Sequence, residues 1–141
     1  MTTEAEIGHG SEWRRGDGAD PEVFTKLAEI TSINGISVTK DTEDATHMDS
    51  PERWEEVISS IKRTGEISIE MNFDPDGATT TNCLADVNSN TPKNYQFASP
   101  NDDVEWIILC HATGFELGVP MESKMTATAT YKPTGKPGFI V

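Results

Sequence analysis

The chain has 141 residues, 35% of them apolar, and its 24 acidic against 11 basic side chains leave a net charge of −13. That is one domain's worth of sequence with a thin core, one that finishes its burial against partners. The acidity excludes a phosphate-clamping nucleic-acid binder and adhesion to an anionic membrane.

The opening "MTTEAEIGHG" lacks the basic and apolar regions of a signal peptide. No run of about 18 apolar residues is present, so no membrane-spanning helix is expected. Cys83 and Cys110 are too few for a disulfide framework. The expectation is a reduced, intracellular chain.

Residues 1–22 are polar and glycine-rich and read as an N-terminal arm with Trp13 as its anchor. Val23 to Val38 reads as two strands joined at Asn34-Gly35, a dipeptide favoured in tight hairpins. Residues 39–50, "TKDTEDATHMDS", have no period and read as a long exposed loop. Ser50-Pro51-Glu52-Arg53 has the marks of a helix start. Trp54, Val57, Ile58 and Ile61 then follow at helical spacing, predicting a helix with Trp54 as its structural anchor.

Gly65–Phe73 alternates most clearly, with Ile67, Ile69, Met71 and Phe73 on one face and Glu66, Ser68, Glu70 and Asn72 on the other. Ala78–Asn90 reads as a short helix. Three further strands are expected over residues 93–99, 103–117 (bent near Gly114) and 123–132. In the last, Met125, Ala127, Ala129 and Tyr131 point inward. The predicted fold is mainly β, an antiparallel sandwich or barrel with one or two short flanking helices. Its domain would cover residues 23–133, followed by a C-terminal extension over 134–141.

Each candidate chemistry has a simpler reading. Asn72, Asp74, Asp76 and Gly77 match the first half of a calcium loop, but its twelfth position is Cys83 and not a bidentate glutamate. A turn explains Asp-Pro-Asp-Gly better. Glu52, Glu55, Glu56, Glu66 and Glu70 lie on faces predicted to be solvated, whereas paired catalytic carboxylates need burial. His9, His47 and His111 show no zinc spacing. Cys110 and His111 are neighbours on a strand and point apart, which is poor geometry for a nucleophile and its base. Arg15-Gly16-Asp17 reads as a turn. Neither a catalytic site, a metal site nor a cofactor is expected.

The order of segments nevertheless resembles one family. "RRGDG", "PEVFTKLAEITSINGISVTKDT", "HMDSPERWEEVISSIKRTGEISIEMNFDP", "CLADVNSNTPKNYQF" and "ATGFELGVPMESKMTATATYKPTGKP" together are similar to the tail-tube (major tail) proteins of long-tailed, non-contractile bacteriophages. The similarity runs from about Trp13 to Pro137.

The resemblance implies a structural virion protein, made and assembled in the host cytoplasm. Six copies would form a ring, and the rings would stack into a tube that conducts DNA during ejection without binding it specifically. Tail terminator, tape-measure and tail-tip proteins would be its other partners, and no membrane is involved. Under this reading Glu66 and Glu70 contribute to a negative lumen that repels phosphate. Lys40, Asp41, Glu43, Asp44 and His47 fall in the family's ring-to-ring loop. Two alternatives stand beside this reading: another tail component on a related fold, a terminator or connector ring, which would not polymerise on its own copies, and a small virion-displayed carbohydrate-binding sandwich, which would need exposed aromatics.

Overall fold

Residues 7–75 and 77–138 are described by a computed structural model. The order is β1 (Glu12–Gly16), β2 (Phe24–Lys26), β3 (Ile30–Asn34), β4 (Val38–Asp44), β5 (Val57–Thr64), β6 (Ile67–Asn72), α1 (Ala78–Asn88), β7 (Lys93–Ala98), β8 (Glu105–Gly118) and β9 (Thr126–Pro133). Short 3-10 turns lie at Pro51–Arg53 and Pro100–Asp102. Among the described residues the strands form a seven-stranded antiparallel sheet, in the order β2-β1-β7-β8-β9-β6-β3, and a separate two-stranded sheet, β4-β5.

The long strand β8 makes the large sheet two-layered. Its first half pairs with β7, Glu105 opposite Ala98 through Cys110 opposite Lys93. Its second half pairs with β9, with a register shift between Ala112 and Gly114. The bend expected near Gly114 is this irregularity. An extra residue there bends and twists the strand, so β2-β1-β7 and β9-β6-β3 face each other and β1 approaches β3.

The enclosed core follows the alternation of the strands. Ile67, Ile69 and Met71 of β6 and Ala127, Ala129 and Tyr131 of β9 are buried from one side; Trp13, Tyr95, Ile108 and Cys110 are buried from the other. Met125, expected inward, is exposed and precedes β9. Trp13, Tyr95 and Tyr131 form an aromatic cluster, with Trp13 stacked on Tyr95 at 5.7 Å and Tyr95 4.6 Å from Tyr131.

Several expectations are corrected. The arm contains β1, an inner strand of the main sheet, because Trp13 has a place in the core that no solvated arm could offer. The Asn34-Gly35 pair does not close a hairpin: β3 pairs with β6, and Gly35, at φ +93°, turns the chain toward β4. A Cβ at Gly35 would run into the carbonyl oxygen of Glu66, so only glycine fits.

The loop over 39–50 begins as a strand. The helix expected after Ser50 is a single 3-10 turn, with Trp54 extended and β5 following. The segment "VISSI" carries β-branched residues that suit a strand, and pairing with β4 outweighs their helical spacing. Trp54 is therefore not a buried anchor; it is 71% exposed.

Residues 134–138 run back along β8, where the Thr134 and Gly138 amides donate to the carbonyls of Leu109 and Ile107. The rest of the C-terminal extension (139–141), the start of the arm (1–6) and Asp76 of the acidic turn lie outside the described residues.

Candidate assembly surfaces

The helix α1 is tied to the sheet by a buried polar strut. Asp86, near its C-terminal end, accepts hydrogen bonds from Arg15 Nε (2.7 Å), Arg15 Nη2 (2.8 Å) and the Tyr95 hydroxyl (2.7 Å), and Lys93 Nζ lies 3.0 Å away. Burial alone would raise the Asp86 carboxyl, but the hydrogen bonds from Arg15, Tyr95 and Lys93 outweigh it and hold it below the usual carboxylate range. The tripeptide Arg15-Gly16-Asp17, expected as a turn, instead ends β1: Arg15 serves the strut, and Asp17 just beyond the strand accepts from the Ala19 and Val23 amides.

Both thiols are inert by position. Burial pushes Cys110 up to about 12, and burial also raises Cys83, whose Sγ lies 3.8 Å from the Tyr131 hydroxyl. Among the described residues no cluster of His, Cys, Asp and Glu could hold a metal, and no helix is long and apolar enough to cross a membrane.

The outer face of the β8-β9-β6-β3 layer is a ladder of small polar side chains. One row reads Ser32, Glu70, Thr128, Glu116 across four strands, and the next reads Asn34, Ser68, Thr130, Gly114. Ser32 donates to Glu70 Oε2 at 3.1 Å. Neither row holds a Lys or Arg, so these two rows together are negative; Lys132 follows on the same face of β9, one row beyond, beside Glu66. Glu70 sits where the strand pattern placed it. Glu66 is exposed but lies in the link between β5 and β6, outside the rows.

Glu116 was missed because the bulge at Ala112/Gly114 shifts the parity of β8, and the register across β9 is needed to see its face. Simple alternation about residue 114 was the one available signal.

The second surface is the β4-β5 hairpin. Lys40, Asp41, Glu43 and Asp44 lie on β4, which is exposed throughout, and His47 lies in the connecting tip. Arg63 Nε pairs with Asp41 at 2.9 Å, and His47 Nδ1 lies 3.1 Å from Glu56. Val57, Ile58 and Ile61 of β5 are exposed, as are Met48 and Trp54 at the tip. The residues expected in one loop are therefore brought together on one projecting element, apart from the acidic ladder.

The sequence profile of the lambda phage tail tube protein family matches residues 13–140. A search of characterised protein sequences finds no match to the chain. Among solved structures, the tail of an empty GTA particle, refined helically with C6 symmetry, is similar with a TM-score of 0.79 at 17% identity, covering 97% of this chain and 100% of the other. A chain from the virion of a native gene transfer agent particle is similar at 0.76 and 16% identity, with the same coverage. The sheath-tube complex of an extracellular contractile injection system gives 0.69 at 13% identity, covering 94% and 90%. These likenesses show a shared fold.

Proposed function

The chain belongs to the lambda phage tail tube protein family, a family of structural virion components and not of enzymes, and we propose that its copies form six-membered rings that stack into a tube conducting DNA. The observation that carries this is the hairpin. A two-stranded sheet standing alone in water is marginal, yet β4-β5 presents Trp54, Val57, Ile58 and Ile61 to solvent. Such an element is stable when a neighbouring subunit covers it. Lys40, Asp41, Glu43, Asp44 and His47 then act in contacts between rings.

The acidic ladder is the candidate lumen. Glu70 and Glu116, joined by Glu66 at the strand's entrance, would give each ring a negative wall that repels phosphate and lets DNA slide. Terminator, tape-measure and tail-tip proteins would meet the tube at its ends and in its channel. The neighbours of six-fold symmetry support the ring; the likeness to a contractile system leaves the reading of a sheathless, non-contractile tail resting on the family profile.

Negative-stain electron microscopy of the purified protein over a concentration series, with mass from light scattering, tests the reading. Hollow tubes or stacked rings of sixfold outline are expected. A ring that never stacks would move the assignment to a terminator, and a monomer that persists when seeded with tail-tip proteins would overturn it.

A further inference from the structure

We propose that a basic groove at the base of the hairpin is the receptor for the acidic hairpin tip of a second copy. The groove, about 670 Å³, is lined by Val38, Ile61, Lys62, Arg63, Lys132 and Lys136 among others. Four of the chain's 11 basic residues thus gather in one place on a molecule of net charge −13. Within it Lys62 stands directly opposite Lys40 on the paired strands. Like charges facing each other across a ladder destabilise it unless an anion sits between them. Arg63 is met by Asp41, and Lys132 Nζ by the Thr64 carbonyl; Lys62 and Lys136 form no ion pair among the described residues.

The complementary element is the tip over residues 47–56. It holds Asp49, Glu52, Glu55 and Glu56 against one arginine, Arg53. Asp49, Glu52 and Glu55 form no ion pair among the described residues; Glu56 is held by His47 and Ser50. Between these acids stand the exposed Met48 and Trp54, which match the apolar Val38 and Ile61 of the groove.

The tip cannot serve its own groove. Paired residues run from Val38 opposite Thr64 to Asp44 opposite Val57, a seven-residue span of about 20 Å. That exceeds the screening length of about 8 Å at physiological salt. The tip of one copy and the groove of another can meet, and the contact is head-to-tail. A heterologous contact of this kind repeats without closing, which suits stacking. The inference takes the identity of its partner from the stacking reading above.

The test uses three charge reversals in the full chain: K62E/K136E in the groove, D49K/E55K at the tip, and K26E/K124E as a control with the same change of charge as the groove variant. Assembly is read by light scattering and electron microscopy. Groove and tip variants are each expected to need at least about tenfold more protein to assemble, as several exposed pairs lost together imply. Mixed in equal amounts, they are expected to recover, since each then offers the other a matching charge. The control should assemble as wild type, and added salt should weaken wild-type assembly.

Wild-type behaviour in both single-site variants, an equal defect in the control, or no recovery on mixing would each overturn the docking. Tubes in the wild type and all variants would refute the docking and leave the tube reading standing. A salt-sensitive oligomer, abolished by the groove and tip reversals but lacking a hollow sixfold outline, would do the reverse. A wild type monomeric at every concentration would refute both. DNA binding lost in K62E/K136E with assembly unchanged would assign the groove to a polyanion and overturn the proposal.

Discussion

Arg15 grips both carboxylate oxygens of Asp86, with Nε at 2.7 Å and Nη2 at 2.8 Å, and so joins β1 to the far end of α1. The side chain of Asp86 is 2% exposed. Two parallel charge-assisted bonds in a dry site fix geometry as well as energy. A carboxylate near a helix C-terminus opposes the helix dipole, and here the guanidinium, Lys93 and the Tyr95 hydroxyl offset that.

Removing Asp86 leaves the half-buried Arg15 guanidinium and the buried Tyr95 hydroxyl without their acceptor. Asp86→Ala is expected to destabilise the folded subunit by about 3–5 kcal/mol, read as a lower denaturation midpoint at unchanged slope. Loss of under about 1 kcal/mol would show that water replaces the carboxylate.

The same group makes stability depend on pH. Asp86 is held below its unfolded value near 4. Its contribution is therefore fully present above that value and is lost as pH falls through the lower folded value. Wild type should lose stability on acidification below about pH 4, and Asp86→Asn should show a shallower acid limb in the same titration.

Two tryptophans should behave oppositely. Trp13 is fully buried, so Trp13→Ala is expected to cost about 3–5 kcal/mol. Trp54→Ala should change the isolated subunit by no more than about 0.5 kcal/mol while impairing assembly. Equal melting losses in the two would restore Trp54 to the core.

If the ladder lines the channel, Glu70→Lys with Glu116→Lys should leave the fold intact and make assembled tubes retain DNA fragments at low salt, where wild-type tubes pass them. Wild-type retention and ejection rates in the doubly substituted tube would place the ladder elsewhere.

At Gly35 both the positive φ and the close carbonyl of Glu66 act against a side chain. Gly35→Ala is expected to destabilise by about 1–3 kcal/mol, measured by thermal unfolding. The thiols offer a simple check on burial: Cys83 and Cys110 should resist a thiol reagent at pH 8 until denaturant is added, since burial raises both and pushes Cys110 up to about 12.

Much was legible in the sequence because one face of several strands is buried and the other wet. The alternation of β6 and β9 follows from that pattern, and so does the place of Glu70; α1, β7 and the irregularity near Gly114 stand where the sequence placed a helix, a strand and a bend. The hairpin escaped because both its faces are exposed, so no alternation marks it; the spacing of Trp54, Val57, Ile58 and Ile61 fits a helix as well as a strand that no core claims. The strand that carries Trp13 escaped for another reason: five residues between glycine-rich flanks hold too little pattern to reveal a strand, and only pairing with β2 and β7 makes one.

Local alternation and net charge by themselves determined a mainly β, acidic chain, because both are properties of single segments or simple sums; that it is a structural component came from the resemblance of its segment order to a family. Tertiary structure decided which strands became neighbours, that Arg15 meets Asp86, that Glu116 joins Glu70, and that four cations share one groove. Arg15 and Asp86 alone are 71 positions apart, and long-range register is set by packing and not by any local preference.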